Sequence, residues 1–227
     1  MNFCEVVNLN LNEIISNAGG RIAYVYFPIE GVISSEKKIT DSPYLLVTLI
    51  GNEGMFCISL MLWIDITPCR AVIQRAGYAL RISAVDFMYQ IEHYPMLNTL
   101  LKRYVFVTHS QLLQATACNL FHVLEKRLAR LLLVFQDRSQ SDQLHITQEL
   151  LAQMLGVRRV GVTKAAGSLQ RKNLISYSRG DLIIHDNDGL KAASCLYFQS
   201  VTDIYEEIII AKNNTLLIEP DIDEIVI

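Results

Sequence analysis

Apolar and polar residues fall in short β-prone runs over the first ninety or so positions and then change to a helical period. AYVYF, GVISS, YLLVTLI, CRAVIQR and YALRI are separated by Pro28, Gly31, Asp41-Ser42-Pro43, Gly51, Gly54, Pro68 and Gly77. Many short strands at close spacing predict a roll or barrel. Beyond Pro95, Leu97, Leu101, Tyr104, Thr108, Gln111, Ala115 and Cys118 recur at alternating spacings of four and three. This predicts one long helix with a seam of mixed polarity, and two uses of that seam stay open: the contact of a two-fold symmetric dimer, or packing on the chain's own β-domain. A second helix is predicted over NLFHVLEKRLARLLLVFQDR, with Phe121, Leu124, Leu128, Leu131, Leu132 and Phe135 on one face and Lys126, Arg127 and Arg130 opposite. The polar stretch Asp137 to Gln143 reads as a connector. Near the C-terminus, GLKAASCLYFQSVTDIYEEIIIA reads as a further amphipathic helix before an acidic tail.

Residues 146–180, ITQELLAQMLGVRRVGVTKAAGSLQRKNLISYSRG, carry the densest pattern. Leu151, Ala152, Leu155, Val157, Val162 and Ala165 are spaced to fill the angle between two short crossing helices, with Ala152 small enough for close approach. Gly156 stands where the first helix must stop in a left-handed cap. The face left over on the second helix holds Arg158, Arg159, Val160, Thr163 and Lys164. After Leu174 the period changes to two β-prone runs, ISYS and LIIH, with Arg179-Gly180-Asp181 as turn chemistry between them, so a hairpin wing follows. A winged helix-turn-helix with a cationic second helix matches the major groove, where Arg or Lys donates to guanine O6 and N7. Arg171, Lys172 and Arg179 would flank the groove on phosphates. The candidate DNA-contacting set is Thr147, Gln148, Arg158, Arg159, Val160, Thr163, Lys164, Arg171 and Arg179. Gly161 within the second helix is an oddity, admitting either a close approach of backbone to DNA or simple tolerance.

Charge adds a distribution rather than a total. The net charge is −3, yet residues 126–181 hold ten Lys or Arg against four acids, while residues 203–224 hold seven acids and one lysine. A local basic field within an acidic chain is what phosphate binding by one module requires. The apolar content of 51% is high, but the longest uncharged runs are too short to span a bilayer. The N-terminus lacks the pattern of a secretory signal, so the expected location is the cytoplasm. Cys4, Cys57, Cys69, Cys118 and Cys195 are scattered without a close ligand pair, and the five histidines are isolated. No metal site, cofactor or catalytic constellation is expected, and an enzyme is disfavoured.

With these residues in place the chain resembles bacterial transcription regulators of the Crp/Fnr family. The resemblance runs from about Arg21 to Tyr205 and rests on VYFPIEGVIS, IGNEGMFCISLML, ACNLFHVLEKRLARLLLVFQDR, TQELLAQMLGVRRVGVTKAAGSLQRKNLI and GLKAASC. It implies an α+β chain with a cyclic-nucleotide-binding-like β-roll over 1–95 and a dimerisation helix over 96–118. A winged helix-turn-helix would follow over 119–211, then an acidic tail over 212–227. It also implies a homodimer on a palindromic operator in double-stranded DNA and contact with RNA polymerase. Members that bind cyclic AMP use a Gly-Glu pair and an Arg-Ser/Thr-Ala run; here Cys57 stands for the glycine, Ile58 for the glutamate and Cys69 for the phosphate-binding arginine. Arg70 is next to it, on the opposite face of a strand. Cyclic AMP is therefore not the expected effector, and none is identified. Val160 replaces an acidic residue of many cyclic-AMP-responsive members, offering a methyl contact to thymine instead of an acceptor for cytosine. The competing reading is a ligand-binding module whose winged helix contacts a protein.

Overall fold

The structure is a computed structural model that describes residues 3–39, 44–195 and 203–210. The acidic tail, and the part of the last expected helix over 196–202 and beyond 210, lie outside the described residues. Five strands, β1 (Cys4–Leu9), β2 (Ile14–Ser16), β3 (Tyr24–Lys38), β4 (Tyr44–Ile50) and β5 (Arg70–Ser83), form one antiparallel sheet ordered β1-β5-β3-β4, with β2 also on β5. The strands are fewer and longer than the sequence pattern predicts. AYVYF and GVISS fuse into the fifteen-residue β3 across Pro28 and Gly31, and CRAVIQR and YALRI fuse into β5 across Gly77. The supposed separators are instead sites where the β3–β5 register shifts, between Pro28 and Ile33. There the backbones meet closely: a β-carbon on Gly31 would lie 2.8 Å from the Arg75 carbonyl oxygen, and one on Gly77 would overlap the Glu30 carbonyl. A kink with no room for side chains lets the paired strands curl without ending.

Val25, Ile33, Ile73 and Ala79 are wholly buried inside this curled sheet. Helix α1 (Ala84–His93) begins at Ser83, whose hydroxyl accepts from the Asp86 amide at 3.0 Å, and drives Phe87 into the core. The long helix α2 (Pro95–Phe121) follows. Its predicted seam is turned inward: Leu101, Tyr104, Thr108 and Cys118 are buried, while Leu97, Gln111 and Ala115 are half-buried. Leu101 and Tyr104 join the core of the roll. The outward face instead shows Phe106, Leu113 and Leu120, seven residues apart and each more than half exposed.

Helix α2 also runs three residues further than the pattern places its end, so Phe121 belongs to it and is 82% exposed rather than facing the core of the helix-turn-helix. The chain bends at His122 and Val123, both extended, before α3 (Leu124–Ser139). Neither proline nor glycine marks this bend, so the packing on either side makes it and the local sequence does not. Then come β6 (Gln143–His145), α4 (Gln148–Leu155), α5 (Arg159–Arg171), β7 (Ile175–Ser178), β8 (Asp181–Ile184) and α6 (Asn187–Ala193). The expected two-stranded wing gains a third strand, in the order β6-β8-β7, built from the end of the supposed connector.

Leu128, Leu132 and Leu133 of α3, Leu151 and Leu155 of α4, and Val162 and Leu169 of α5 share one core, which also takes in Val32 and Leu49 of the roll. The end of α3 is tied down as well. Arg138 pairs with Glu53 at 3.0 Å with both side chains almost buried, and an Arg75 guanidinium nitrogen donates to the Ser139 carbonyl. No helix among the described residues is long and apolar enough to cross a membrane.

Candidate nucleic-acid interface

The angle between α4 and α5 follows from the residues that fill it. Leu151, Ala152, Leu155, Val162 and Ala165 are buried and Val157 is half-buried. Gly156 caps α4 at φ 63°, ψ 39°, and its amide donates back to the Gln153 carbonyl at 3.2 Å. Thr147 caps the other end of α4, its hydroxyl accepting from the Leu150 amide at 3.1 Å. Gln148 is half-buried and accepts from the Thr163 hydroxyl at 2.7 Å, locking the first turn of α4 to the exposed side of α5. Thr147 thus caps α4, and Gln148 and Thr163 brace the two helices at the edge of the surface they were expected to form.

Arg158, Arg159, Val160, Thr163 and Lys164 all come together on that surface and are exposed. Arg158 occupies the N-cap of α5 without a side-chain capping bond. The positive end of a thirteen-residue helix therefore opens among cationic side chains, an arrangement suited to phosphate or to the electronegative edge of guanine. Arg171 is exposed at the far end of the same helix. Among the described residues, Arg158, Arg159, Lys164, Arg171 and Arg179 make no ion pair, unlike Lys172, which binds the Glu125 carboxylate at 2.6 Å. That contact holds the Glu125 carboxyl below its ordinary range and removes Lys172 from the open basic set. Arg127 is also occupied, donating to the Leu155 carbonyl at 2.6 Å.

Gly161 is half-buried, and a β-carbon there would lie 2.9 Å from Leu124 Cδ2, the flexible end of a side chain at the start of α3.

At the wing, Ser178 pairs with Asp181 across a two-residue turn in which Arg179 has φ 52° and Gly180 φ 95°. Two positive φ values make the primed turn whose twist matches paired strands. The turn is held toward the helices by the Ile146 amide, which donates to the Gly180 carbonyl at 2.8 Å, and by Tyr177, whose hydroxyl donates to the Ile146 carbonyl at 2.6 Å. Arg179 is exposed at the tip of this turn.

Within the roll, Cys57, Ile58 and Cys69 do line one cavity, with Tyr104 and Thr108 of α2 across from them. It measures about 140 Å³, against roughly 300 Å³ and above for ordinary small-molecule pockets. Cys57, in the place the resemblance gives to glycine, has φ 85°, a conformation glycine takes at little cost. Arg70 points elsewhere: it binds Glu36 at 2.6 Å and lies 3.2 Å over the Tyr44 ring. A second cavity of about 260 Å³ lies between β4, α2, α3 and α4, lined mainly by apolar residues such as Leu46, Leu131 and Met154.

The sequence pattern missed one constellation. Cys118, His122 and Cys195, read as isolated, come together where α2 bends into α3. The four-residue spacing of Cys118 and His122 on a helix was the available signal, but Cys195 is 77 positions away. The Cys118 thiol is held down to about 5 by its hydrogen bond with Cys195, with His122 and the charge of Arg130 acting in the same direction.

A family model described as a Crp-like helix-turn-helix domain matches residues 126–193. Among solved structures, a CRP-family transcriptional regulator from Thermus thermophilus superposes with a TM-score of 0.69 at 16% identity, over 83% of this chain and 96% of that one. The c-di-GMP-responsive global regulator CLP of Xanthomonas campestris gives 0.66 at 13% identity, over 81% and 94% of the two chains. FixK2 from Bradyrhizobium japonicum gives 0.65 at 13% identity, over 85% and 98%. No curated protein matches the chain by sequence. The structural likeness is one of fold, and the family model adds a local similarity: residues 126–193 match a Crp-like helix-turn-helix domain, on a chain that shares the fold of solved CRP-family regulators.

Proposed function

We propose that this chain is a sequence-specific DNA-binding transcription regulator that acts as a homodimer on a two-fold symmetric operator. The observation that carries the reading is the exposed cluster of Arg158, Arg159 and Lys164 around the N-terminal turns of α5, without internal ion pairs among the described residues, with Arg179 on the adjacent wing. Cations held in the open by a rigid helix pair are placed to enter a major groove while the wing rests on phosphate. Arg158 and Arg159 read base edges in this proposal, Val160 meets a thymine methyl, and Lys164, Arg171 and Arg179 position the module on the backbone. Thr147, Gln148 and Thr163 contribute from the edge. The protein works in the cytoplasm, and RNA polymerase is its expected further partner. Selecting bound sequences from a random DNA pool tests this: a symmetric consensus is expected. Failure to enrich any sequence, with affinity for no duplex at low salt, would hand the winged helix to a protein partner.

Cyclic AMP is not the effector in this proposal. Ile58 offers no acceptor to a ribose hydroxyl, Cys69 offers no cation, and Arg70 is already neutralised by Glu36. Calorimetry with millimolar cyclic AMP is expected to give no saturable heat; micromolar binding would mean that Arg70 leaves Glu36 for the ligand.

A further inference from the structure

At the bend between α2 and α3 three soft ligand groups converge from distant parts of the chain. Cys118 Sγ lies 3.4 Å from Cys195 Sγ and 3.4 Å from His122 Nδ1, and ligand atoms of all three residues fall within 4.8 Å of one another. In a tetrahedral zinc site, bonds of about 2.3 Å to sulfur and about 2.0 Å to nitrogen separate two sulfurs by about 3.8 Å and a sulfur from a nitrogen by about 3.5 Å. The two separations from Cys118 are within about 0.4 Å of these, and the His122–Cys195 separation, no more than 4.8 Å, has to close by at most about 1.3 Å for the centre to form. Cys118 and Cys195 are buried and His122 is half-buried, which leaves the imidazole as the side from which an ion enters.

The geometry points to a three-ligand site, Cys118 Sγ, His122 Nδ1 and Cys195 Sγ, for one thiophilic d10 cation of the Zn2+ or Cu+ class. Two thiolates and a neutral imidazole are the donors such ions prefer over the oxygen ligands of calcium or magnesium. On binding, each sulfur forms a sulfur–metal bond as thiolate, any thiol proton still held passing to solvent; no electron is transferred. With Zn2+ the fourth position is left to water, as in other sites with three protein ligands, and with Cu+ three ligands complete the shell.

The position gives the site a consequence for the fold. Cys118 ends the buried side of α2, His122 is the bend itself, and Cys195 follows α6, which packs on α3. An ion held by all three joins the long helix, the bend and the far end of the reader module, so occupancy fixes the angle at which α3 and the reader leave α2. This consequence does not depend on the reader's ligand being DNA.

The test is a titration of the reduced, metal-free full chain with Zn2+, with Cu+ under anaerobic conditions, and with Co2+ as a spectroscopic probe. One ion per chain is expected, with release of whatever thiol proton the pair still holds and, for Co2+, thiolate-to-metal charge-transfer absorption. A control carrying Cys4→Ser and Cys69→Ser, which removes the exposed and half-buried thiols elsewhere, keeps these signals. Cys118→Ser and Cys195→Ser weaken binding by about a hundredfold or more, since losing a ligand costs at least as much as losing the residue that orients one. Because a buried cysteine variant can fail to fold, His122→Gln at its half-buried position is the second arm, with circular dichroism as the check and at least about tenfold weaker binding expected. No saturable uptake of either metal by the reduced chain overturns the proposal, as does uptake whose affinity is unchanged by His122→Gln. Formation of a Cys118–Cys195 disulfide with hydrogen peroxide, in a chain that takes up no metal, also overturns it and makes the pair a redox couple instead.

Discussion

Arg179 occupies a backbone conformation that its own side chain disfavours. Its φ of 52° costs a residue with a β-carbon about 1 kcal/mol, which asparagine tolerates better. An arginine kept at the tip of a tight turn at that expense is explained if its guanidinium is needed there. Arg179→Asn is therefore expected to raise unfolding stability by up to about 1 kcal/mol while weakening DNA binding on all sequences and lowering the salt slope by about one unit. Parallel salt titrations with unchanged slope would take Arg179 out of the interface. Arg159→Ala is expected to behave differently, costing about 1–3 kcal/mol on the selected site and relaxing preference at one base position. Equal weakening on selected and random duplex would reassign Arg159 to the backbone. The exposure of Arg159, and of Arg158 beside it, was legible from sequence because the interior spacing of Val162 and Ala165 fixes which side of α5 remains outside, and that of Arg179 because Arg179-Gly180-Asp181 is turn chemistry between two β-prone runs. The pairing of Lys172 with Glu125 was not legible, because it joins residues 47 positions apart on elements whose angle the local pattern does not set.

At the scale of elements, the reader contains glycines with opposite roles. Gly156 needs its φ of 63°, and a β-carbon there would also lie 3.1 Å from Leu45 Cδ1 of β4. Gly156→Ala is expected to destabilise by about 1–2 kcal/mol. Gly167 lies inside α5 with ordinary helical backbone, and a β-carbon there would meet only the Arg171 guanidinium at 3.6 Å. Gly167→Ala is accordingly expected to stabilise by about 0.8–1 kcal/mol, the helix-propensity difference. Urea unfolding of both variants checks the pair, and a loss of stability at Gly167 would show that α5 needs the gap for another contact. Sequence revealed the first glycine through its place after a helical period. It misjudged Gly31 and Gly77, because turn chemistry and a kink within a long strand pair use the same residue, and only the pairing of β3 with β5 distinguishes them. The bend at His122 was invisible for the complementary reason: no breaker residue marks it, and tertiary contacts make it.

At the scale of the whole molecule, α2 would decide how the two winged helices of the proposed dimer are set against each other. A repeat of fours and threes was legible, but its seam packs on the chain's own roll, since Tyr104 and Leu101 fill the core between sheet and helix. What is left for a partner is the opposite face, where Phe106, Leu113 and Leu120 stand one heptad apart at 54%, 59% and 74% exposure. Apolar side chains at that period suit a second copy of the same helix across a two-fold axis, and this would place two α5 helices in successive major grooves about 34 Å apart. The variant Phe106→Glu with Leu113→Glu puts carboxylates on both sides of that axis without touching the buried core, so its circular dichroism is expected to match the wild type. Wild type is expected to sediment as a dimer at micromolar concentration and the variant as a monomer. On the selected operator the variant should lose most of the affinity that comes from joining two half-sites, and it should become indifferent to an insertion of about half a helical turn between them. The wild type should lose affinity on that insertion, because the second reader is carried to the wrong face of the duplex. A dimeric variant would move the interface away from Phe106 and Leu113, and a monomeric wild type that binds a single half-site would remove the two-fold arrangement altogether.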